Sequence, residues 1–185
     1  MQAGKLPCHP EELRSVAKKK MRKGKSYPWN KGKEMGQRDP FSRSDMNRIR
    51  KRLAKRGDAG LRDLAMFSTA IDTMLRASDL LGLAVEDVRK RNRMMRDTFY
   101  LKTPQGGRGM RCTLSEATMS VLEEWISLSA KKPGDYLFTG RTGESSKAIT
   151  SRQLSRLVKA WAEDIGLDAS QHGLKSLRRS LPSTN

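Results

Sequence analysis

The chain has 185 residues, which is the length of one domain with room for a small appendage. Lys and Arg number 38 against 20 Asp and Glu, and the net charge of +18 indicates a polyanionic partner, with nucleic acid the first candidate. No apolar stretch approaches the roughly 18 residues of a membrane span, and two cysteines, Cys8 and Cys112, cannot build a disulfide scaffold, so integral membrane proteins and secreted miniproteins are excluded.

Most of the excess charge lies in the N-terminal third. Residues 1–57 hold 18 Lys or Arg and 5 acids, whereas residues 58–185 hold 20 and 15. A segment this basic and this poor in large apolar residues cannot bury a core of its own, so we expect residues 1–43 to form a flexible arm that binds nucleic acid. A solvated tail that only aids solubility is the alternative. The candidate contacts in the arm are Lys18, Lys19, Lys20, Lys31 and Lys33.

Two aromatic residues, Tyr27 and Trp29, lie among lysines and glycines in this arm. The pattern permits ring contacts with sugars or bases beside contacts with phosphates. Packing of Trp29 against the neighbouring domain is an equally open interpretation.

Helical periodicity begins near Ser42. Either Ser42 or Ser44 can cap a helix that carries the basic run from Arg48 to Arg56 and breaks at Gly57. Candidate DNA contacts outside the arm are Arg50, Lys51, Arg52 and Arg179.

Apolar residues recur at three- and four-residue spacing in further segments, which predicts helices there. Ser78 is expected to cap a short one, because a serine hydroxyl accepts hydrogen bonds from the first backbone N–H groups of a helix. The predicted segments are 59–75, 79–83, 115–128, 149–165 and 174–179.

Short strands are predicted between these helices. Residues 98–101 and 111–114 flank a glycine-rich turn over 103–109, a pattern typical of a β-hairpin, and residues 136–138 form a short extended piece. We therefore predict a mainly α fold with a small antiparallel hairpin, an α+β domain, over residues 44–185.

The segment Ala70–Val88, AIDTMLRASDLLGLAVEDV, resembles the first catalytic box of the tyrosine recombinase (phage integrase) family. In that family a helix end presents an arginine to the scissile phosphate, and an acidic residue follows three positions later. Arg76 and Asp79 match those two places, although the family usually has Glu at the second.

The resemblance continues toward the C-terminus. Lys102, in the hairpin, matches the family's catalytic lysine, and Arg108 is the alternative. Lys175 and Arg178 match the second box, His-x-x-Arg, with lysine in the histidine place, whereas His172 lies three residues too early for it. The motifs WNKGK, GQRDPF, IRKRL, RDLAMFSTAID and SLRRS are similar to those of short bacterial integrase-like proteins.

These residue types suit the chemistry of the family. Attack of a tyrosine hydroxyl on a phosphodiester builds charge on the non-bridging oxygens, and the guanidinium groups of Arg76 and Arg178 can each bind two oxygens and stay charged at any working pH. The resemblance implies that Lys102 protonates the leaving 5′-oxygen and that Lys175 helps to hold the phosphate. It implies no cofactor and no metal, and ligand spacing is absent among His9, His172, Cys8 and Cys112.

The resemblance also implies the partners and the place of action. We expect double-stranded DNA and other recombinase protomers as partners, with no membrane and no small-molecule substrate. The expected location is the bacterial cytoplasm, in association with the nucleoid.

The family's nucleophilic tyrosine has no counterpart in this sequence. It follows the second box by several tens of residues, whereas Tyr27, Tyr100 and Tyr136 all precede Arg178. We therefore expect a C-terminally truncated catalytic domain that does not cut DNA alone. A noncatalytic DNA-binding or regulatory protein and a basic RNA-binding protein are the alternatives, and each basic side chain, taken singly, also fits a purely structural role.

Overall fold

A computed structural model describes residues 38–101, 109–140 and 147–180 of the chain. Within these residues the chain forms α-helices and a two-stranded antiparallel sheet, which confirms the predicted mainly α fold with a small hairpin. In chain order the elements are α1 (Arg43–Ala54), α2 (Asp58–Thr73), α3 (Ala77–Leu81), α4 (Val85–Val88), β1 (Thr98–Leu101), β2 (Met110–Thr113), α5 (Glu116–Leu128), α6 (Ser151–Asp164) and α7 (Leu174–Arg179).

Helix α2 lies at the centre of the domain. It packs against α1, α5, α7 and β2, and every residue from Gly60 to Ile71 is buried. Gly60 marks the close approach of α2 to the end of α1, because a Cβ atom there would lie 2.2 Å from the carbonyl oxygen of Leu53. A helix with neighbours on all sides buries its polar residues too, so burial on α2 extends well beyond its predicted apolar positions.

Several helix ends follow the sequence expectations. Ser42 caps α1 and exchanges hydrogen bonds with Asp45 in a capping box. Ser115 caps α5, and its hydroxyl accepts from the backbone N–H of Thr118 at 3.3 Å. Gly166, with a φ of 80°, follows the end of α6.

The junction between α2 and α3 differs from the prediction. Met74 adopts a left-handed conformation with a φ of 51°, which ends α2 earlier than the predicted residue 75. Because α2 stops there, Arg76 and not Ser78 takes the N-cap position of α3. Ser78 lies inside the first turn, and its hydroxyl donates to Asp79 Oδ1 at 3.2 Å.

The hairpin has one face toward the core and one toward solvent. Phe99 pairs with Cys112, and Tyr100 pairs with Arg111. Successive strand residues face opposite sides, so Phe99 and Cys112 are buried whereas Tyr100 and Arg111 are exposed. Strand β2 begins at Met110, one residue before the prediction.

Helix α4 was missing from the sequence prediction, because four residues are too few to show a helical period. The predicted extended piece at 136–138 lies beside it. The Leu137 N–H donates to the Leu83 carbonyl at 2.8 Å, and the Trp125 indole N–H donates to the Leu137 carbonyl at 2.9 Å. This piece therefore links the region before α4 to α5.

The short segment before α1 also packs on the domain. The Asp39 N–H donates to the Gln171 carbonyl at 3.0 Å, and the Phe41 ring stacks on His172 with 4.6 Å between ring centroids. Phe41 is buried. The predicted boundary after residue 43 thus leaves Phe41 on the side of the arm, although its ring belongs to the core.

Candidate active site

Arg76 is exposed at the junction between two helices. Its carbonyl accepts from the N–H groups of Asp79 and Leu80 at 3.0 and 2.9 Å, so its backbone is fixed by the first turn of α3. Leu80 and Leu81 anchor that turn in the core. Among the described residues Arg76 makes no ion pair, and its exposed side chain is available to an anion.

Helix α7 exposes the two cations that match the second box. Lys175 and Arg178 are three residues apart and therefore share one face of the helix. The opposite face is buried through Ser176 and Leu177. Ser180 fixes the end of the helix, because its hydroxyl donates to the Ser176 carbonyl at 2.8 Å and accepts from the Phe41 N–H at 2.8 Å.

The hairpin feels the charge of the helix that follows Arg76. Burial raises the pKa of the Cys112 thiol, and the charge of Asp79 raises that pKa further. Asp79 belongs to α3 and Cys112 to β2, so the charge at the start of α3 acts on the inner face of the hairpin.

The elements that carry the two arginines also share neighbours. Helix α3 contacts α6, and α7 contacts both α2 and α6. Strand β2 contacts α2 as well. The loop bearing Arg76, the helix bearing Arg178 and the strands of the hairpin are therefore all arranged around one pair of helices.

Much of the basic run on α1 is engaged inside the domain. Arg50 lies 3.7 Å from Asp72, and its side chain is 27% exposed. Arg48 donates to the Ile165 carbonyl, and Arg56 pairs with Asp164, so both join α1 to the end of α6. Two other candidate DNA contacts of the run, Lys51 and Arg52, are exposed.

The remaining predicted residues divide into two groups. Arg179 is exposed, and its guanidinium donates to the Arg38 carbonyl at 3.1 Å, which ties α7 to the segment before α1. His172 is buried against Phe41, with Nδ1 3.2 Å from the Asp39 carbonyl oxygen. The others lie outside the described residues: Lys18, Lys19, Lys20, Lys31, Lys33, Lys102 and Arg108, together with Tyr27 and Trp29.

Sequence reasoning missed a second group of cations. Five of the eight residues from 89 to 96, RKRNRMMR, are Lys or Arg. The density of charge in that stretch is the sequence signal for this group. The stretch lies far along the chain from the N-terminal third, which holds most of the excess charge. The structure places all five of these cations around one cavity.

In the described part of the chain, no group of three or more His, Cys, Asp or Glu residues is arranged to hold a metal ion. No helix within the same ranges has the length and apolar character needed to cross a membrane.

Comparison with known proteins gives one family and one fold. The family model described as the phage integrase family matches residues 37–183. Cre recombinase of Escherichia phage P1 is 28% identical over 127 residues, which cover 64% of this chain and 37% of Cre.

Solved structures share the fold at low identity. XerA recombinase matches with a TM-score of 0.62 and 16% identity, over 77% of this chain and 48% of XerA. XerH recombinase bound to its palindromic difH substrate matches with a TM-score of 0.62 and 18% identity, over 78% of this chain and 41% of XerH. The Tn1549 transposon integrase in complex with circular intermediate DNA gives a TM-score of 0.53 and 16% identity, over 78% of this chain and 51% of the integrase.

The chain spans about half or less of the length of these relatives. The family match nevertheless runs from the segment before α1 to beyond α7 and includes every described element. This chain therefore belongs to the phage integrase family, the tyrosine recombinases.

Proposed function

We propose that this domain binds duplex DNA and holds one backbone phosphate between Arg76 and Arg178 for cleavage and rejoining of the strand through a 3′-phosphotyrosine. The observation that carries the proposal is the family match over residues 37–183, which spans both arginines. Both side chains are exposed on elements that pack around α2 and α6. XerH and the Tn1549 integrase were solved with DNA, which supports duplex DNA as the substrate class here.

Each cation has a distinct role in this proposal. Arg76 and Arg178 donate N–H forks to the non-bridging oxygens, where charge develops in the transition state. Loss of one such donor typically costs about 3–4 kcal/mol of transition-state stabilisation. Lys175, on the same face of α7 as Arg178, binds the same phosphate, and Lys102 protonates the leaving 5′-oxygen.

We assign the basic arm, residues 1–43, to contacts with the DNA backbone outside the reacting phosphate. Its lysines at 18, 19, 20, 31 and 33 add sequence-independent affinity, because each neutralised phosphate releases counterions. Lys51, Arg52 and Arg179, on the domain of residues 44–185, are assigned further contacts with the DNA backbone. Arg50 contributes less, since its charge is paired with Asp72.

We also propose that the nucleophile is none of the tyrosines in this sequence. Tyr100 lies on the outer face of β1, Tyr136 lies before α6, and Tyr27 belongs to the arm. All three precede the second box, whereas the family's tyrosine follows it. These 185 residues are therefore expected to bind DNA without forming a covalent adduct, unless another polypeptide supplies the tyrosine.

A double-mutant cycle on duplex affinity tests whether Arg76 and Arg178 bind the same phosphate. Two side chains that bind one phosphate are energetically coupled, so Arg76→Gln and Arg178→Gln should combine with an interaction energy of about 0.5–3 kcal/mol. Arg152 is exposed on α6 and serves as the control. The changes in binding free energy caused by Arg76→Gln and Arg152→Gln should add to within about 0.5 kcal/mol.

Additive effects of Arg76→Gln and Arg178→Gln would contradict the proposal that both side chains bind one phosphate.

A competition at fixed salt between duplex DNA and structured RNA tests which nucleic acid the domain binds. A clear preference for RNA favours the RNA-binding alternative over recombination.

A further inference from the structure

A cavity of about 920 Å³ lies between the segment that follows α4 and the C-terminal end of α5. Among the described residues that line it, seven are Lys or Arg and two are acids. We call the stretch over residues 89–96 the basic turn. It contributes five of the cations, and Lys131 and Lys132 contribute the other two. Of the described residues assigned above to the recombination chemistry, Arg76, Lys175 and Arg178 do not line it.

The backbone holds the basic turn in a tight, closed shape. The Arg96 N–H donates to the Val88 carbonyl at 2.8 Å, and the Lys90 N–H donates to the Met94 carbonyl at 2.8 Å. Arg93 has a φ of 65°, in the left-handed region that favours glycine or asparagine. The five cations within these eight residues also repel one another, and an anion in the cavity would relieve that repulsion.

The acids of the cavity do not provide that compensation. Within the described ranges no ion pair joins Glu86 or Asp87 to a cation. Asp87 instead accepts from the Ala84 N–H at 2.8 Å and caps α4. The cavity therefore keeps a large excess of positive charge.

Arg96 carries an unsatisfied donor. Its Nε is buried and has no hydrogen-bond partner among the described residues. A buried N–H without a partner loses its bonds to water and gains nothing in return, so such groups are rare unless a ligand completes them. The neighbouring Lys131 is also partly removed from water, because burial lowers its pKa while its Nζ donates to Thr139 Oγ1 at 3.0 Å.

We propose that this cavity is a phosphate-binding site, separate from the site of strand cleavage. Guanidinium forks match the oxygens of phosphate, and several cations around one concavity favour a group that carries more than one negative charge or is repeated along a chain. Pro133 is exposed, lines the same cavity and can contact a sugar or a base attached to the phosphate, whereas Val85 and Ile126 lie buried beneath it. The phosphate comes either from the DNA backbone or from a free phosphorylated molecule, and the proposal does not depend on the recombination chemistry.

Charge-neutralising variants of the full chain test the site. The cavity variant is Arg91→Gln with Arg96→Gln, and the matched control is Arg152→Gln with Lys159→Gln, two exposed cations of α6. A second cavity variant, Lys90→Gln with Arg91→Gln, changes only exposed side chains and leaves Arg96 in place. Circular dichroism checks that each variant is folded, and if the Arg96 variant is unfolded the second cavity variant decides.

Two probes separate the sources of phosphate. With inorganic pyrophosphate, titration calorimetry should show affinity reduced about tenfold or more in the cavity variants and unchanged in the control, because charge-assisted hydrogen bonds are lost. With a short duplex of arbitrary sequence, the slope of log affinity against log salt should fall by about 0.9 for each lost phosphate contact if the DNA backbone occupies the cavity.

A change with pyrophosphate alone identifies a free phosphorylated ligand, and a change in the duplex slope identifies the DNA backbone. Cavity variants that match the control with both probes would overturn the proposal. The outcome is independent of the Arg76 and Arg178 cycle, so failure of one proposal leaves the other standing.

Discussion

Asp63 Oδ1 accepts two hydrogen bonds from Arg62, its neighbour in α2, from Nε at 3.0 Å and from Nη2 at 2.8 Å. Both residues are buried in the centre of the domain. Arg62 Nη1 also donates to the Thr139 carbonyl at 3.3 Å, and the Trp161 indole N–H lies 3.5 Å from Asp63 Oδ2. This ion pair thus ties α2 to α6 and to the segment before it.

Asp63→Ala should lower the free energy of unfolding by about 3–5 kcal/mol, because it leaves the Arg62 charge buried without its partner. Urea denaturation followed by circular dichroism measures the change. Replacing both residues by apolar ones, as Arg62→Met with Asp63→Leu, should cost much less. A double variant as unstable as Asp63→Ala would contradict this account.

Asp72 joins three helices at one carboxylate. Its Oδ2 accepts from the Ser115 N–H at 2.9 Å and from the Ser115 hydroxyl at 2.7 Å, while Oδ1 lies 3.7 Å from Arg50. Asp72→Ala should lower the free energy of unfolding by about 2 kcal/mol, since the start of α5 loses these hydrogen bonds. Thermal and urea unfolding check the value.

The matched control is Glu124→Ala, an exposed position on α5, which should stay within about 0.5 kcal/mol of the parent chain. Arg50→Gln should destabilise less than Asp72→Ala, because the bonds to Ser115 survive. It should also weaken duplex binding less than Arg52→Gln does. If Arg50→Gln weakens duplex binding more than Arg52→Gln does, Arg50 acts mainly in DNA binding and not in stabilising the fold.

The raised pKa of the Cys112 thiol predicts how the stability of the domain depends on pH. Burial first, and then the charge of Asp79, raises the pKa of the Cys112 thiol above its ordinary value of 9.0. The folded chain therefore prefers the protonated thiol, so this contribution to stability is complete below pH 9.0 and is lost as pH rises from there through the folded pKa.

Asp79→Asn should lower the pKa of Cys112 toward 9.0 without reaching it, because the burial persists. Thiolate absorbance in a Cys8→Ser background measures the titration of Cys112 alone. An unchanged titration would show that the charge of Asp79 does not act on the Cys112 thiol.

A nicked suicide substrate tests the role of the tyrosines. We expect these 185 residues to leave no protein–DNA adduct on a denaturing gel, because only a positioned nucleophile traps one. Duplex binding by the same preparation serves as the positive control. An adduct, mapped to Tyr27, Tyr100 or Tyr136 by its loss in the matching Phe variant, would refute our assignment.

Local structure was largely determined by the sequence itself. Helix periods, the caps at Ser42 and Ser115, and the hairpin strands depend on neighbours within a few residues, so they were predictable to within about a turn. The junction at Met74 and Arg76 was not predictable, because the end of α2 depends on a left-handed residue that carries no sequence signal. The two boxes pointed to the phage integrase family because their order and separation are written in the sequence.

Long-range placement was decided only by the tertiary structure. Packing surrounds α2 on every side and buries Arg62 and Asp63, which no periodicity could indicate. Packing also places Arg50, a member of the basic run, in an ion pair with Asp72. It arranges the cations of the basic turn around a cavity. The charge of the sequence indicates the sign of the partner's charge. Whether a given side chain binds the partner or stabilises the fold depends on which residues, distant in sequence, the fold brings within a few ångströms of it.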